Sequence, residues 1–394
     1  MVDVVVIGQN YSTTLGVVKA LSQTGYRCAV ARCIAGVEHI LPPDVKSKYV
    51  AEHIYLPRND DDTVIRALIE KYGVSEKLTV IIPTDDYCAS LIDKKADQLS
   101  PFFVFPRSLG EQGIFSLMNK ANQKKSASKE GILTARCRHI SIQEVHLESS
   151  ITDFSFPCIV KPIMSLGSSK TWIRCCHNCD DLLVLINEIK GKRNPPQDLL
   201  VEDYIDVEAE FTIPCLSLGK EVYIPAFIKK TIVAQGNHKG VTICGTVEDG
   251  GLYPSFQQNL IKLVKGFGVI GLLDIEAFFC QGKFYLNEVN LRNGAAGYSL
   301  TRAGINLPKY LVEYLLYGLY PDESSWCVSP LSFVNDKANL ENHCSGYSSF
   351  RQYMKNIKDA DMRLVVEKGD IPARVAFMKI EVVSLLKHLL SQYV

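Results

Sequence analysis

The chain opens with an apolar run from Val4 to Ile7 that stops at Gly8. A helical pattern follows from about Thr14 to Thr24, closed by Gly25, and a second apolar run spans Cys28 to Ala31. Short apolar runs separated by helical periodicity predict strands buried on both faces, alternating with helices. The same rhythm recurs as a helix over Thr63 to Tyr72 and a strand over Thr79 to Ile82, which ends in Pro83-Thr84-Asp85-Asp86. This part of the chain predicts a doubly wound α/β domain. Ligands bind at the carboxyl edge of such sheets, so Gln9, Asn10, Tyr11, Thr84 and Asp85 are candidate contacts. Turn and helix-cap chemistry is the competing account of each. The loop GQNYSTTLG holds only Gly8 and Gly16 in place of Gly-x-Gly-x-x-Gly, which disfavours a nicotinamide dehydrogenase.

Further on, the pattern predicts one helix from Leu109 to Gly131 with Asn119-Lys120 in its middle, then a buried strand, Phe156 to Pro162, that delivers Lys161. A lysine at the end of an apolar strand needs an anion or a route to water. It is followed by Ser165-Leu166-Gly167-Ser168-Ser169-Lys170, a short loop able to turn several N–H groups toward a phosphate. A helix over Cys179 to Ile189 and a polar loop, Gly191 to Asp198, precede the strand Leu199 to Val201. That strand runs into Glu202-Asp203-Tyr204-Ile205 and on to Glu208 and Glu210. Strands are expected over Phe211 to Leu216 and Glu221 to Ile228, with Lys229, Lys230 and His238 just beyond, and helices over Tyr253 to Gly266, Leu307 to Leu316 and Val375 to Tyr393.

Between the helices lies GLLDIEAFFCQGKFYLNEVNLRNG, residues 271–294, which reads as a β-hairpin turned at Gln281-Gly282. Paired strands would bring Glu276, Glu288 and Asn290 together, a set of hard oxygen donors suited to Mg²⁺. Asp274 is secondary to Glu276 in spacing, and Arg292 adds a planar donor for phosphate oxygens on the same side of the strand.

At 394 residues the chain has room for two or three domains. Its 43 basic and 43 acidic residues cancel, leaving no charge footprint for nucleic acid or an anionic membrane. The start reads as a strand rather than a signal peptide, and no apolar run approaches a membrane span, so thirteen cysteines point to free thiols in a reducing cytoplasm. Cys175, Cys176, His177 and Cys179 are spaced somewhat like metal ligands, but no second pair matches them.

Taken in order, Lys120, Lys161, the Gly167–Lys170 loop, Glu202 to Ile205 with Glu210, Glu276, and the run Asn287 to Arg292 resemble the ATP-grasp superfamily of ATP-dependent carboxylate–amine ligases over residues 1 to 320. The resemblance implies an α/β and α+β multidomain ATP-grasp fold behind an N-terminal doubly wound domain. Its parts would be residues 1–108 for the first domain, 109–132 for a connecting helix, 133–196 for a lid, and 197–394 for the catalytic part with a C-terminal extension. It further implies that Lys120 and Lys161 contact the phosphates or the adenine edge of ATP, and that Gly167, Ser168 and Ser169 close over the terminal phosphates beside Lys170. Glu202, Asp203, Tyr204 and Ile205 would form the adenine hinge, with Glu210 or Glu208 on the ribose. Glu276, Glu288 and Asn290 would hold Mg²⁺ or Mn²⁺, and Arg292, with Lys161, would serve catalysis by steadying the transferring group. Asn119 and Leu291 depart from the family pattern, in which Asp and Pro are usual. The expected reaction activates a small-molecule carboxylate as an acyl phosphate and joins it to an amine, one of them an amino acid, as in the D-aspartate ligase-like branch. A homodimer is the implied assembly, and a nucleotide-binding sensor or a ligase with another acyl donor are the alternatives.

Overall fold

The computed structural model describes the chain apart from residues 1, 37, 59, 75–76, 144–153, 165, 167–171, 193–194, 237–239 and 392–394. Its first sheet has five parallel strands, Val4–Gly8, Cys28–Ile34, Val50–Pro57, Thr79–Pro83 and Phe103–Val104, in the spatial order third, second, first, fourth, fifth. Val4 and Val6 enter one core with Val17, Val18 and Leu21 of the helix Tyr11–Ser22, while Val5 and Ile7 enter another with Val64, Ile65 and Leu68 of the helix Asp61–Tyr72. Burial on both faces is why this strand reads as unbroken apolar sequence. Gly16 is small for a packing reason: a Cβ there would lie 3.1 Å from the Cβ of Tyr298 in the helix Gly297–Arg302. The doubly wound expectation holds.

The second sheet is antiparallel and has four strands, Cys137–Ser141, Cys158–Pro162, Arg174–Cys176 and Asp198–Asp203. Cys158, Val160, Leu199 and Val201 pack with Leu182, Leu185, Ile186 and Ile189 of the helix Cys179–Lys190 in a core of their own. The alternate residues Ile159, Lys161 and Glu202 face the other way, into a cleft. Asp198–Asp203 is an inner strand of this sheet.

The third sheet has ten strands, and its centre runs Thr242–Asp249, Ala226–Val233, Ala209–Leu218, Val269–Cys280, Lys283–Asn290. One face carries Phe211, Ile213, Ile275 and Ala277 against Leu260, Leu263 and Val264 of the helix Pro254–Phe267. The strand expected over Glu221 to Ile228 is interrupted at Pro225, which has no N–H for the ladder, leaving Val222–Tyr223 and Ala226–Val233. The single helix expected over Leu109 to Gly131 is two, Ile114–Leu117 and Lys120–Lys129. Asn119 divides them: its side chain accepts a hydrogen bond from the Asn122 N–H at 3.1 Å, the N-cap role this residue favours. Lys120 therefore opens a helix and does not sit inside one. All thirteen cysteines are free thiols. Among the described residues no helix is long and apolar enough to cross a membrane.

The core of the third sheet is centred on Phe227, fully buried, with ring centroids of Phe211, Tyr253, Phe256 and Phe284 at 6.3, 5.0, 6.1 and 6.1 Å. Phe227→Ala is expected to lower the free energy of unfolding by ~3–5 kcal/mol, read as a shifted denaturant midpoint at unchanged m-value. A loss below ~1 kcal/mol would mean that this ring cluster does not support the sheet.

Candidate functional site

The hairpin forms as its sequence predicts. Gln281 and Gly282 both adopt positive φ, at 50° and 73°, the geometry of a two-residue turn that matches strand twist. The register then sets Glu276 directly opposite Glu288 and Asp274 opposite Asn290, with Thr212 on the other side of Glu276. A bulge interrupts the ladder: Ala277 pairs with Leu286, leaving Asn287 as the extra residue. Strict alternation would turn Asn287 away from the Glu288 face. The bulge re-aims it, and both side chains line the same cleft.

That cleft, about 370 Å³, lies between the second sheet and the third sheet, and Lys120, Lys161, Glu202, Glu210, Glu276 and Glu288 all line it. Lys120 Nζ is 3.3 Å from Glu288, and Lys161 Nζ is 2.9 Å from Glu202 and 3.0 Å from the Asn287 amide oxygen. Lys230 reaches Glu210 on the neighbouring strand and Glu276 on the strand beyond it, each at 3.4 Å, and donates to the Gly240 carbonyl at 2.8 Å. Burial pulls the Lys230 pKa down, but Glu276 and Glu210 outweigh it, so the net shift is upward and the ammonium is held charged. Lys229, the next residue along the strand, points to solvent.

Three residues that the sequence reading missed complete this arrangement. Lys124, one turn after Lys120, is buried with its Nζ 3.1 Å from the Glu202 oxygen that also holds Lys161. Gln123 spans a gap in the sheet: its amide donates to the Val289 carbonyl at 2.8 Å and accepts from the Val289 N–H at 2.9 Å. It thereby fixes the strand between Glu288 and Asn290. The i,i+4 spacing from Lys120 was a legible signal for Lys124. For Gln123 and Asn287 no such signal exists, because one depends on a tertiary contact and the other on a bulge.

Glu202 to Ile205 lie at the end of the strand Asp198–Asp203. Asp203 and Tyr204 give their N–H groups to Arg136 and Pro157 carbonyls at 2.9 and 3.2 Å, and the Asp203 carboxylate pairs with Arg136 at 3.0 Å. Ile205 and Tyr204 line the cleft. Glu208 turns away to accept the Gln281 N–H at 2.9 Å, whereas Glu210 faces the cleft. Gly167, Ser168, Ser169, Lys170 and His238 lie outside the described residues.

Asn290 and Arg292 sit beside the cleft rather than on its lining. Arg292 donates to the Asn290 amide oxygen at 3.1 Å and pairs with Asp86 at 3.2 Å and Asp274 at 3.8 Å. Burial disfavours its charge, yet Asp86 and Asp274 outweigh that and raise its pKa. Asp274 is pushed up, chiefly by burial and against the pull of Arg292, and accepts the Thr212 hydroxyl. Because Asp86 is the first residue of the helix Asp86–Lys94, which follows the fourth strand of the first sheet, Arg292 ties the hairpin to that sheet's carboxyl edge. Other residues proposed there have structural work: Asn10 and Asp85 cap helices, and Thr84 bonds to Thr14 at 2.9 Å. Among the described residues, no group of three or more His, Cys, Asp or Glu is arranged to hold a metal ion, the Cys175–Cys179 cluster included. Glu276 and Glu288 are thus a pair of carboxylates, with the Asn290 amide as the third oxygen donor nearby.

Residues 125–306 match the family model described as the ATP-grasp domain. The chain is 23% identical over 261 residues to a formate-dependent phosphoribosylglycinamide formyltransferase of Wolinella succinogenes, covering 62% of this chain and 60% of that protein. It is 23% identical over 316 residues to a D-aspartate ligase of Enterococcus faecium, covering 71% and 70%. In structure it resembles an L-amino acid ligase from Bacillus licheniformis with a TM-score of 0.61, at 16% identity and over 84% and 79% of the two chains. The matched residues include the second sheet, Glu202 to Ile205 and the carboxylate hairpin, in the order that the ATP-grasp resemblance implies.

Proposed function

We propose that the cleft binds ATP with Mg²⁺ or Mn²⁺, and that the protein is an ADP-forming carboxylate–amine ligase. The observation that carries this reading is the opposed pair Glu276 and Glu288 with Lys120, Lys161 and Lys230 gathered around one cleft between two sheets. Phosphoryl transfer needs positioning and charge neutralisation more than covalent catalysis, and this residue set supplies both. Glu276, Glu288 and Asn290 offer the oxygen donors a hard cation takes, and the cation would supply charge neutralisation at the phosphates. Lys120 and Lys161 are already held in the cleft by carboxylates and would exchange those partners for phosphate oxygens. Glu202 to Ile205 would read the base and Glu210 the ribose, with Gly167, Ser168, Ser169 and Lys170 closing over the terminal phosphates. The substrate carboxylate attacks the γ-phosphorus, giving an acyl phosphate and ADP, and an amine then displaces phosphate. Arg292, anchored by Asp86 and Asp274, meets the charge that develops near the acyl centre. The names D-aspartate ligase and L-amino acid ligase support an amino acid as one substrate. The reading keeps residues 1–108 as the preceding α/β domain and takes the lid through Asp203.

Two measurements test this. Mixing the protein with ATP, Mg²⁺ and an amino-acid panel is expected to release ADP with at least one pair of substrates, together with a product whose mass equals the two joined less one water. ATP binding with no ADP release across the panel would favour a nucleotide-binding protein without turnover. Glu288→Gln is expected to cut turnover roughly 10³-fold while the thermal midpoint stays near wild type, and wild-type activity in that variant would sink the cation assignment.

Lys124 gives a pH prediction. Its pKa is lowered, first by burial and then by the neighbouring Lys161, with Glu202 opposing, so the folded state binds this proton less readily than the unfolded chain does. Stability contributed at this position therefore rises with pH, from the lowered folded pKa up to the unfolded value of about 10.4. Lys124→Met removes that titration. The wild-type protein is expected to gain thermal stability relative to the variant as pH rises toward about 10, and a gap that stays constant would refute the assignment.

A further inference from the structure

Lys124 stands behind the cleft rather than on it. Lys120 and Lys161 line the cleft, Lys124 does not, and its Nζ is closed off from solvent. It nevertheless shares a partner with a lining residue. Glu202 Oε1 lies 3.1 Å from Lys124 Nζ and 2.9 Å from Lys161 Nζ, and all three side chains are buried. Two ammonium groups on one carboxylate leave positive charge in excess, and their repulsion, after burial, is what lowers the Lys124 pKa. Glu202 can therefore give up Lys161 without becoming a lone buried carboxylate. A single buried pair has no such freedom, because withdrawing one partner leaves the other charge uncompensated.

We propose that Lys124 is a positioning residue for nucleotide binding, which keeps the Glu202 charge balanced while Lys161 turns from Glu202 to a phosphate group. This rests on the ligase reading, in which Lys161 meets the phosphates of ATP, and adds to it a residue that does not touch the nucleotide. Lys124 acts before and after binding. Before it, the like charge of Lys124 loosens Lys161 from Glu202, whose other contact is the neutral Asn287 amide at 3.0 Å. After it, Lys124 remains on Glu202 and spares the interior an unpaired anion. The geometry keeps Lys124 in place throughout. Gln123, the residue before it, bonds both to the N–H and to the carbonyl of Val289, so the helix Lys120–Lys129 is pinned to the third sheet and Lys124 cannot follow Lys161.

Titration calorimetry of the full chain with ATP and Mg²⁺, without carboxylate or amine substrate, separates this role from a structural one. Lys124→Met removes the charge and is expected to weaken ATP binding about tenfold or more, the range of one hydrogen bond to a charged group, while circular dichroism shows the fold retained. Where the Met variant does not fold, Lys124→Gln, which keeps a donor for Glu202 but no charge, is expected to weaken binding in the same direction. Adding Glu202→Gln to either variant removes the carboxylate that would otherwise hold Lys161, and the double variant is expected to recover most of the lost affinity. A thermal midpoint that falls while ATP affinity stays at the wild-type value would make Lys124 a structural residue only and overturn the proposal. A double variant that binds no tighter than the single one would overturn it too, since Lys124 would then act on the nucleotide by another route. Wild-type protein that binds no ATP would instead overturn the ligase reading, and this assignment with it.

Discussion

Two carboxylates set opposite each other on neighbouring strands repel, and much of the molecule is arranged to hold that repulsion in place. Like charges directly across a ladder destabilise a sheet, so Glu276 and Glu288 cannot stand there without cations supplied from elsewhere. Lys230 comes from two strands away and stays charged because the carboxylates outweigh its burial. Lys120 comes from the first turn of a helix whose start is set by the Asn119 cap. The same helix sends Gln123 into the ladder at Val289 and Lys124 to Glu202. One ten-residue helix thus fixes the height of the hairpin, supplies a counter-charge to it, and reaches the second sheet.

The first sheet is bound to this centre in two ways. Its Val4 and Val6, with Val17 and Leu21 of the helix Tyr11–Ser22, share a core with Leu216, Ile270 and Leu272 of the third sheet, so apolar burial joins the two units without a break. Arg292 adds a polar link, bonded on one side to Asn290 and Asp274 and on the other to Asp86. A buried guanidinium with partners on both sides is costly to leave unpaired, so the hairpin loop and the sheet edge keep their relative position.

Much of this was legible in the sequence, and the reasons differ by residue. The first sheet was readable because strands buried on both faces write themselves as unbroken apolar runs. The hairpin was readable because Gln281-Gly282 is turn chemistry and Glu276, Glu288 and Asn290 sit at spacings that pairing brings together. Lys161 was flagged by the oddity of a lysine ending an apolar strand, and the structure shows it held by Glu202 and Asn287. What failed was local punctuation. Asn119 reads equally well inside a helix or at its cap, and only the fold decides. Pro225 was overridden by the apolar residues around it. Gln123 and Asn287 were invisible for a deeper reason: a side chain acting as a strand partner and a residue displaced by a bulge are properties of pairing, which a linear pattern does not encode.

The second sheet buries its apolar residues in a core of its own, behind Leu182, Leu185, Ile186 and Ile189. Toward the third sheet it offers Lys161 and Glu202, held by Asn287 and Lys124, and beside them Met164 and Leu166 pack against that sheet's core. These ammonium and carboxylate groups are buried, so the ions of the surrounding solution screen them far less than they would exposed pairs.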